Sequence, residues 1–209
     1  MGAKEDILGR VRAALQGDAP VTDIPRDYRQ SGTMNRDQLI EHHTDRLVDY
    51  KAEVKVVSAA ELSQAIAEYL ANARSVVVPH GLDAEWVASL THADVVTDSP
   101  EVPVPVDQLN ATDAVVTSSA VSVAESGTII LDGTPTQGRR AISLVPDHHV
   151  CVVPASTIVE ILPEALPRLE PTQPQTWISG PSATSDIELE RVEGVHGPRR
   201  LSVIIVKDA

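Results

Sequence analysis

Residues 54 to 78 read VKVVSAAELSQAIAEYLANARSVVV, and this stretch decides the fold class. Val54–Val57 and Ser75–Val78 are short apolar runs with the β-branched content of buried strands. Between them Ser58 and Glu61 form a capping-box pattern ahead of the amphipathic segment Ala59–Ala73. A strand, a helix and a second strand in that order make a βα unit, and units of this kind build a largely parallel sheet.

The alternation continues downstream. Asp83–Leu90 reads as a short helix and Asp94–Thr97 as a strand. Ser99–Val106 carries Pro100, Pro103 and Pro105, so it is an extended connection that joins neither a helix nor a central ladder. Ala114–Thr117, Ile129–Leu131 and Val150–Val153 read as buried strands. Ser118–Thr128 is then a small-residue turn between two of them, and Ile142–Val145 is a further apolar run. Pro154 ends the strand before it, and Ser156 is placed to cap a helix over Thr157–Leu162 that Pro163 breaks. The last strand ends at Val206.

Upstream, residues 3 to 16 put Ile7, Leu8, Val11, Ala14 and Leu15 on one helical face, and the Pro/Asp-rich segment Gly17–Gly32 follows. Residues 35 to 51 again read as helix, with Leu39, Ile40, His43, Leu47 and Val48 along one side. The expected organisation is an N-terminal amphipathic arm and linker over residues 1–34, then one α/β domain over 35–209, an open, largely parallel sheet flanked by helices.

Composition agrees. The chain has 209 residues, 42% hydrophobic and 22% charged, with no Phe, so a soluble globular core must be built from Val, Ile, Leu and Ala. A net charge of −13 repels phosphate backbones and disfavours nucleic-acid binding. No run reaches the roughly eighteen apolar residues of a membrane span, and the polar N-terminus lacks a secretory signal, which makes the cytoplasm the expected location. The single cysteine, Cys151, supplies neither a disulfide nor the thiolates of a cluster or zinc site.

Chemistry-bearing residues concentrate near strand ends, where open α/β sheets bind ligands. Glu125, followed by Ser126 and Gly127, is the one acid of its turn, with the roles of general base, nucleophile or ligand anchor open to it beside that of a turn cap. Gly138-Arg139-Arg140 offers two cations, and His149 opens the Val150–Val153 strand. Ile178–Val206 holds Gly180, Ser182 and Thr184 ahead of a short helical segment, Asp186–Arg191, whose first N–H groups suit an anion. His196, Arg199 and Arg200 follow in the turn into the last strand. The bland alternative is a pair of structural turns with solvated arginines. His42 and His43 are adjacent and diverge around their helix, so they make no metal pair. No P-loop, GxGxxG, GxSxG or HExxH pattern occurs.

The wording of these segments is more specific than their chemistry. ISGPS-x-T-x-DIE followed by GVHGPRRL, with AESGT at 124–128 and HVCVV at 149–153, resembles the lactate-utilisation (LUD-domain) family, C-type subunit, over roughly residues 75 to 206. The resemblance implies an open α/β fold related to the CoA-transferase and formyltetrahydrofolate cyclo-ligase group. It also implies a role beside two iron–sulfur proteins in oxidising L-lactate to pyruvate, with no cofactor on this chain and the clusters on its partners. In the related CoA transferases a glutamate attacks an acyl group, so Glu125 invites a second expectation, a stand-alone transferase or ligase acting on a small carboxylic acid. The expected ligand contacts are Gly180, Ser182, Thr184, His196, Arg199, Arg139, Arg140 and His149.

Overall fold

The computed structural model, which describes residues 2–15, 24–181 and 197–209, contains the strand–helix–strand unit read at residues 54 to 78. In chain order the elements are α1 (Ala3–Ala14), α2 (Arg36–Asp49), β1 (Glu53–Val57), α3 (Leu62–Tyr69), β2 (Ser75–Pro79), β3 (Asp94–Asp98), α4 (Val106–Asn110) and β4 (Ala114–Thr117). There follow β5 (Val121–Val123), β6 (Thr128–Leu131), α5 (Arg140–Leu144), β7 (His148–Pro154), β8 (Ile158–Val159), α6 (Leu162–Ala165), β9 (Thr176–Ile178) and β10 (Arg200–Val206). The capping box forms as a folded-back carboxylate: Glu61 accepts the Ser58 backbone N–H at 2.8 Å and its hydroxyl at 2.6 Å. The first turn behind it, Ala59–Glu61, is a 3-10 turn, and α3 begins only at Leu62.

Six strands form one sheet in the order β1-β10-β7-β4-β2-β3, every pairing parallel. Such a sheet is covered on both faces, which is why its strands are continuous apolar runs. One face places Val76, Val116, Val150, Val152 and Ile204 against Leu62, Ala65 and Ile66 of α3. The other packs Cys151, Val153, Leu201, Val203 and Ile205 against Leu47 of α2 and Ile129 and Leu131 of a second sheet. Each fully buried Val or Ile contributes about 1.5–3 kcal/mol, so the Val/Ile core suffices without Phe.

The second sheet, β8-β5-β6-β9, corrects three expectations. Ser118–Thr128 is not one turn: Val121–Val123 pairs antiparallel with Thr128–Ile130, making a hairpin whose tip is Ala124–Gly127. Thr157–Leu162 is not a helix, because Ile158 and Val159 are buried and pair in parallel with Ser122 and Val123. Pro163 sits in the first turn of α6, where its missing N–H has no helical partner to lose, so it starts a helix instead of breaking one. The apolar run Ile142–Val145 belongs largely to α5 and buries Ile142 against Val77 and Val115.

The N-terminal segment is strapped to this second sheet. Glu160, whose side chain is 6% exposed, accepts the backbone N–H groups of Thr33 and Met34 at 2.5 and 2.7 Å. Glu164 accepts that of Gly32 at 3.0 Å. These bonds hold both carboxyls below their ordinary range, backbone donors being the main cause. Beyond the strap, α1 buries none of its side chains.

Candidate functional site

The strand order reverses between β2 and β4, since the chain leaves β2 towards β3 and leaves β4 in the other direction. Open α/β sheets bind ligands at the carboxyl ends of strands at such a point. Here the loop after β6 lies over those ends: the Gly81 N–H donates to the Pro135 carbonyl at 2.9 Å and the Ser118 N–H to the Thr136 carbonyl at 3.0 Å. Gln137, in the same loop, is 2% exposed. Arg139 belongs to this plug. Its Nε lies 3.1 and 3.0 Å from the two oxygens of the buried Asp98, and its Nη2 donates to Asp98 at 2.8 Å and to the Val104 carbonyl at 2.6 Å. That pairing commits the guanidinium to closing the loop.

A cleft lies at the opposite edge, where β7 and β10 begin and β9 ends. Ser143, Leu144, His149, Trp177, Ser179, Gly180, Gly197, Pro198 and Leu201 are among its walls, and its volume is about 110 Å³. Two of the expected contacts, His149 and Gly180, meet in it. His149 stands second in β7, beside Leu201 of β10 and Val115 of β4. Its Nε2 is 2.8 Å from the Thr117 hydroxyl. Burial pushes the imidazole down to about 3, so at neutral pH the ring carries no charge. Gly180 has φ +88°, and a Cβ there would stand 2.7 Å from the Tyr50 carbonyl oxygen. Only glycine adopts that backbone without strain.

The hairpin tip reaches the same cleft through hydroxyls. Ser126 Oγ lies 2.8 Å from Thr128 Oγ1, which lies 2.8 Å from Ser179 Oγ on the cleft wall. Glu125, next to this chain, is committed elsewhere: it accepts Arg29 Nη2 at 2.7 Å, with its side chain 58% exposed. Arg199 makes two bonds to Asp147, from Nε at 2.6 Å and Nη2 at 2.7 Å, and these hold the Asp147 carboxyl below its ordinary range. It follows Pro198, a wall residue, so a charge-neutralised ion pair sits at the rim. Arg140 is exposed at the start of α5 and its carbonyl accepts the Ser143 hydroxyl at 3.1 Å. Ser182, Thr184 and His196, and the helix expected over Asp186–Arg191, lie outside the described residues.

Sequence reasoning passed over Thr117, Ser143, Thr128 and Ser179. Ser179 and Thr128 adjoin glycines that were singled out, but the bond from Thr117 to His149 depends on the β4–β7 register, which no local pattern carries. Cys151 is fully buried, and burial pushes its thiol up to about 12, so it suits neither thiolate ligation nor attack. Among the described residues no three His, Cys, Asp or Glu groups converge as a metal site. No helix among them is long and apolar enough to cross a membrane.

The LUD domain family matches residues 40–206 of the chain. Lactate utilization protein C of Deinococcus radiodurans is 46% identical over 98% of this chain and 95% of its own length. Lactate utilization protein C of Halalkalibacterium halodurans is 28% identical over 96% of this chain and 93% of its own. A crystal structure of a DUF162 family protein from Deinococcus radiodurans superposes with a TM-score of 0.73 at 43% identity, covering 83% of this chain and 99% of that one.

Proposed function

Because the chain belongs to the LUD domain family, we propose that it serves lactate utilisation as the accessory subunit of an iron–sulfur protein system that oxidises L-lactate to pyruvate. The observation that carries this reading is the 46% identity to a lactate utilization protein C along nearly the whole of both chains. The chemistry of the residues supports the division of labour. With Cys151 the only cysteine, and buried, the thiolates of any cluster come from other chains, so electrons leave lactate on the partners. Glu125 supports the accessory reading over the transferase one, since its carboxylate is held in an exposed ion pair with Arg29 instead of facing the cleft walls.

Affinity purification of the tagged chain from cells grown on L-lactate tests the proposal. The expected result is co-recovery of two cysteine-rich proteins with iron–sulfur absorbance, in equal yield with wild type and Glu125→Gln. Glu125→Gln keeps a hydrogen-bond acceptor for Arg29 and removes only the charge, and exposed ion pairs are worth about 0–1 kcal/mol. Recovery of the chain without cluster proteins, together with acyl transfer activity abolished in Glu125→Gln, would replace the accessory reading by the transferase one.

A further inference from the structure

We infer that α1 is a self-association element through which two copies of this chain join, each α1 packed antiparallel against the α1 of the other copy. The helix needs a cover. It has 12 residues and no buried side chain, and an isolated helix shorter than about 12–15 residues is marginal in water. Gly9 in its middle weakens it further. Ile7 is 61% exposed, Leu8 40%, Val11 48% and Leu15, at its C-cap, 59%. A stripe of this kind holds a helix only when another apolar surface lies on it. Leu8, Val11 and Leu15 recur at intervals of three and four residues, the spacing of a two-helix seam. Ile7 and Ala14 then run along one flank of the seam, and Glu5 and Arg12 along the other.

The charges select both the partner and its direction. Glu5 lies in the first turn of α1 and Arg12 in the last. No opposite charge stands three or four residues from either, so neither is paired along its own helix. Glu5 accepts the Gly2 N–H at 2.9 Å through Oε2, and its second oxygen points to no donor by this bond. Under a two-fold axis like flanks meet, so Glu5 of each copy faces Arg12 of the other and Ile7 of each faces Ala14 of the other. A parallel pair would set Arg12 beside Ile7 and match no charge. Antiparallel packing also lays the positive end of each helix dipole beside the negative end of its neighbour. The chain as a whole carries −13, which repels a second copy. On α1, by contrast, Lys4, Arg10 and Arg12 stand against Glu5 and Asp6, so two arms approach without that penalty. Two helices about 18 Å long cover less than the about 1,200 Å² of a stable interface, so the dimer is a reversible one.

Sedimentation equilibrium of the full chain, from about 10 µM to about 1 mM, tests the association independently of the lactate reading. Expected is a monomer–dimer equilibrium, weakened about a hundredfold by Val11→Asp, which sets two carboxylates in the seam. Glu5→Arg alone and Arg12→Glu alone each place like charges opposite one another at two points and should weaken it about tenfold. An equimolar mixture of those two variants restores opposite charges at both points. It should associate about tenfold more tightly than either variant by itself, which a parallel pair would not do. Because α1 buries no side chain, all three variants should keep the wild-type urea midpoint in dilute solution, so a lost dimer is not a lost fold. A wild-type chain that stays monomeric at about 1 mM would overturn the inference, as would a dimer untouched by Val11→Asp or a mixture no tighter than its components. A monomeric chain that loses co-purifying proteins in Val11→Asp would also overturn it, giving the face of α1 to a different partner.

Discussion

Acidification from pH 7 to pH 5 is expected to remove about 4–6 kcal/mol of folding stability, comparable with the 5–15 kcal/mol that a whole domain possesses. The cause is three buried imidazoles. Burial pushes His43 down to about 4, His148 to about 4 and His149 to about 3. In the unfolded chain each takes up a proton near pH 6.5, and in the folded protein none does until far lower. A depressed folded pKa means that the full stability is present above 6.5 and is lost as pH falls towards the folded value, about 1.4 kcal/mol per pH unit for each ring. His43 and His149 count fully. His148 counts for less, since its ring is the least deeply buried of the three, 6% exposed against 0% for His43 and 1% for His149. Below about pH 4.5 the carboxylates Asp113, Asp147, Glu160 and Glu164, all held below their ordinary range, add to the loss in the same direction. Urea unfolding at pH 7, 6 and 5 measures it; a midpoint independent of pH across that window would show that these rings take up protons in the fold as readily as in the unfolded chain.

Gly180→Ala is expected to cost about 2–4 kcal/mol and to distort the cleft wall. At φ +88° an L side chain is strained, and the new methyl group would meet the Tyr50 carbonyl oxygen at 2.7 Å and the Tyr50 Cβ at 2.8 Å. Neither atom is the far end of a flexible side chain, so the backbone after β9 or after α2 must move. That motion displaces Ser179 as well, and with it the end of the hydroxyl chain. Gly9→Ala is the control. Its added methyl group meets nothing within 4 Å on a helix that buries no side chain, so α1 gains helix propensity while the domain's unfolding midpoint stays in place. Equal midpoints for Gly180→Ala and the wild type would mean that the chain after β9 has no fixed conformation at this point.

How much of this was legible in the sequence divides along the range of the interactions. Val54–Val57, Ser75–Val78 and the Ser58/Glu61 cap are local patterns, and the parallel sheet was read from them. The hairpin of β5 and β6 was hidden because Val121–Val123 is short and follows a run of small residues that reads as a turn. The strand at Ile158 and Val159 has only two residues and so no period to recognise; only its partner β5 makes it a strand. The candidate site shows the same division. Gly180 and His149 were legible as a glycine in a turn and a histidine at a strand end. Arg139 was equally legible as a cation, yet Asp98 occupies it from another strand across the switch point, and sequence spacing could not pair residues 41 positions apart. The bond between Thr117 and His149, which holds the imidazole at the cleft wall, likewise exists only once β4 and β7 lie side by side.

The central claim is that this chain is required for lactate utilisation without itself carrying the electrons. It is tested most directly by growth on L-lactate as sole carbon source of a strain lacking the chain, with pyruvate as the control medium. The account predicts no growth on L-lactate and normal growth on pyruvate, with growth on L-lactate restored by the wild-type chain and by Glu125→Gln at equal abundance. Undiminished growth of the deletion strain on L-lactate would contradict it.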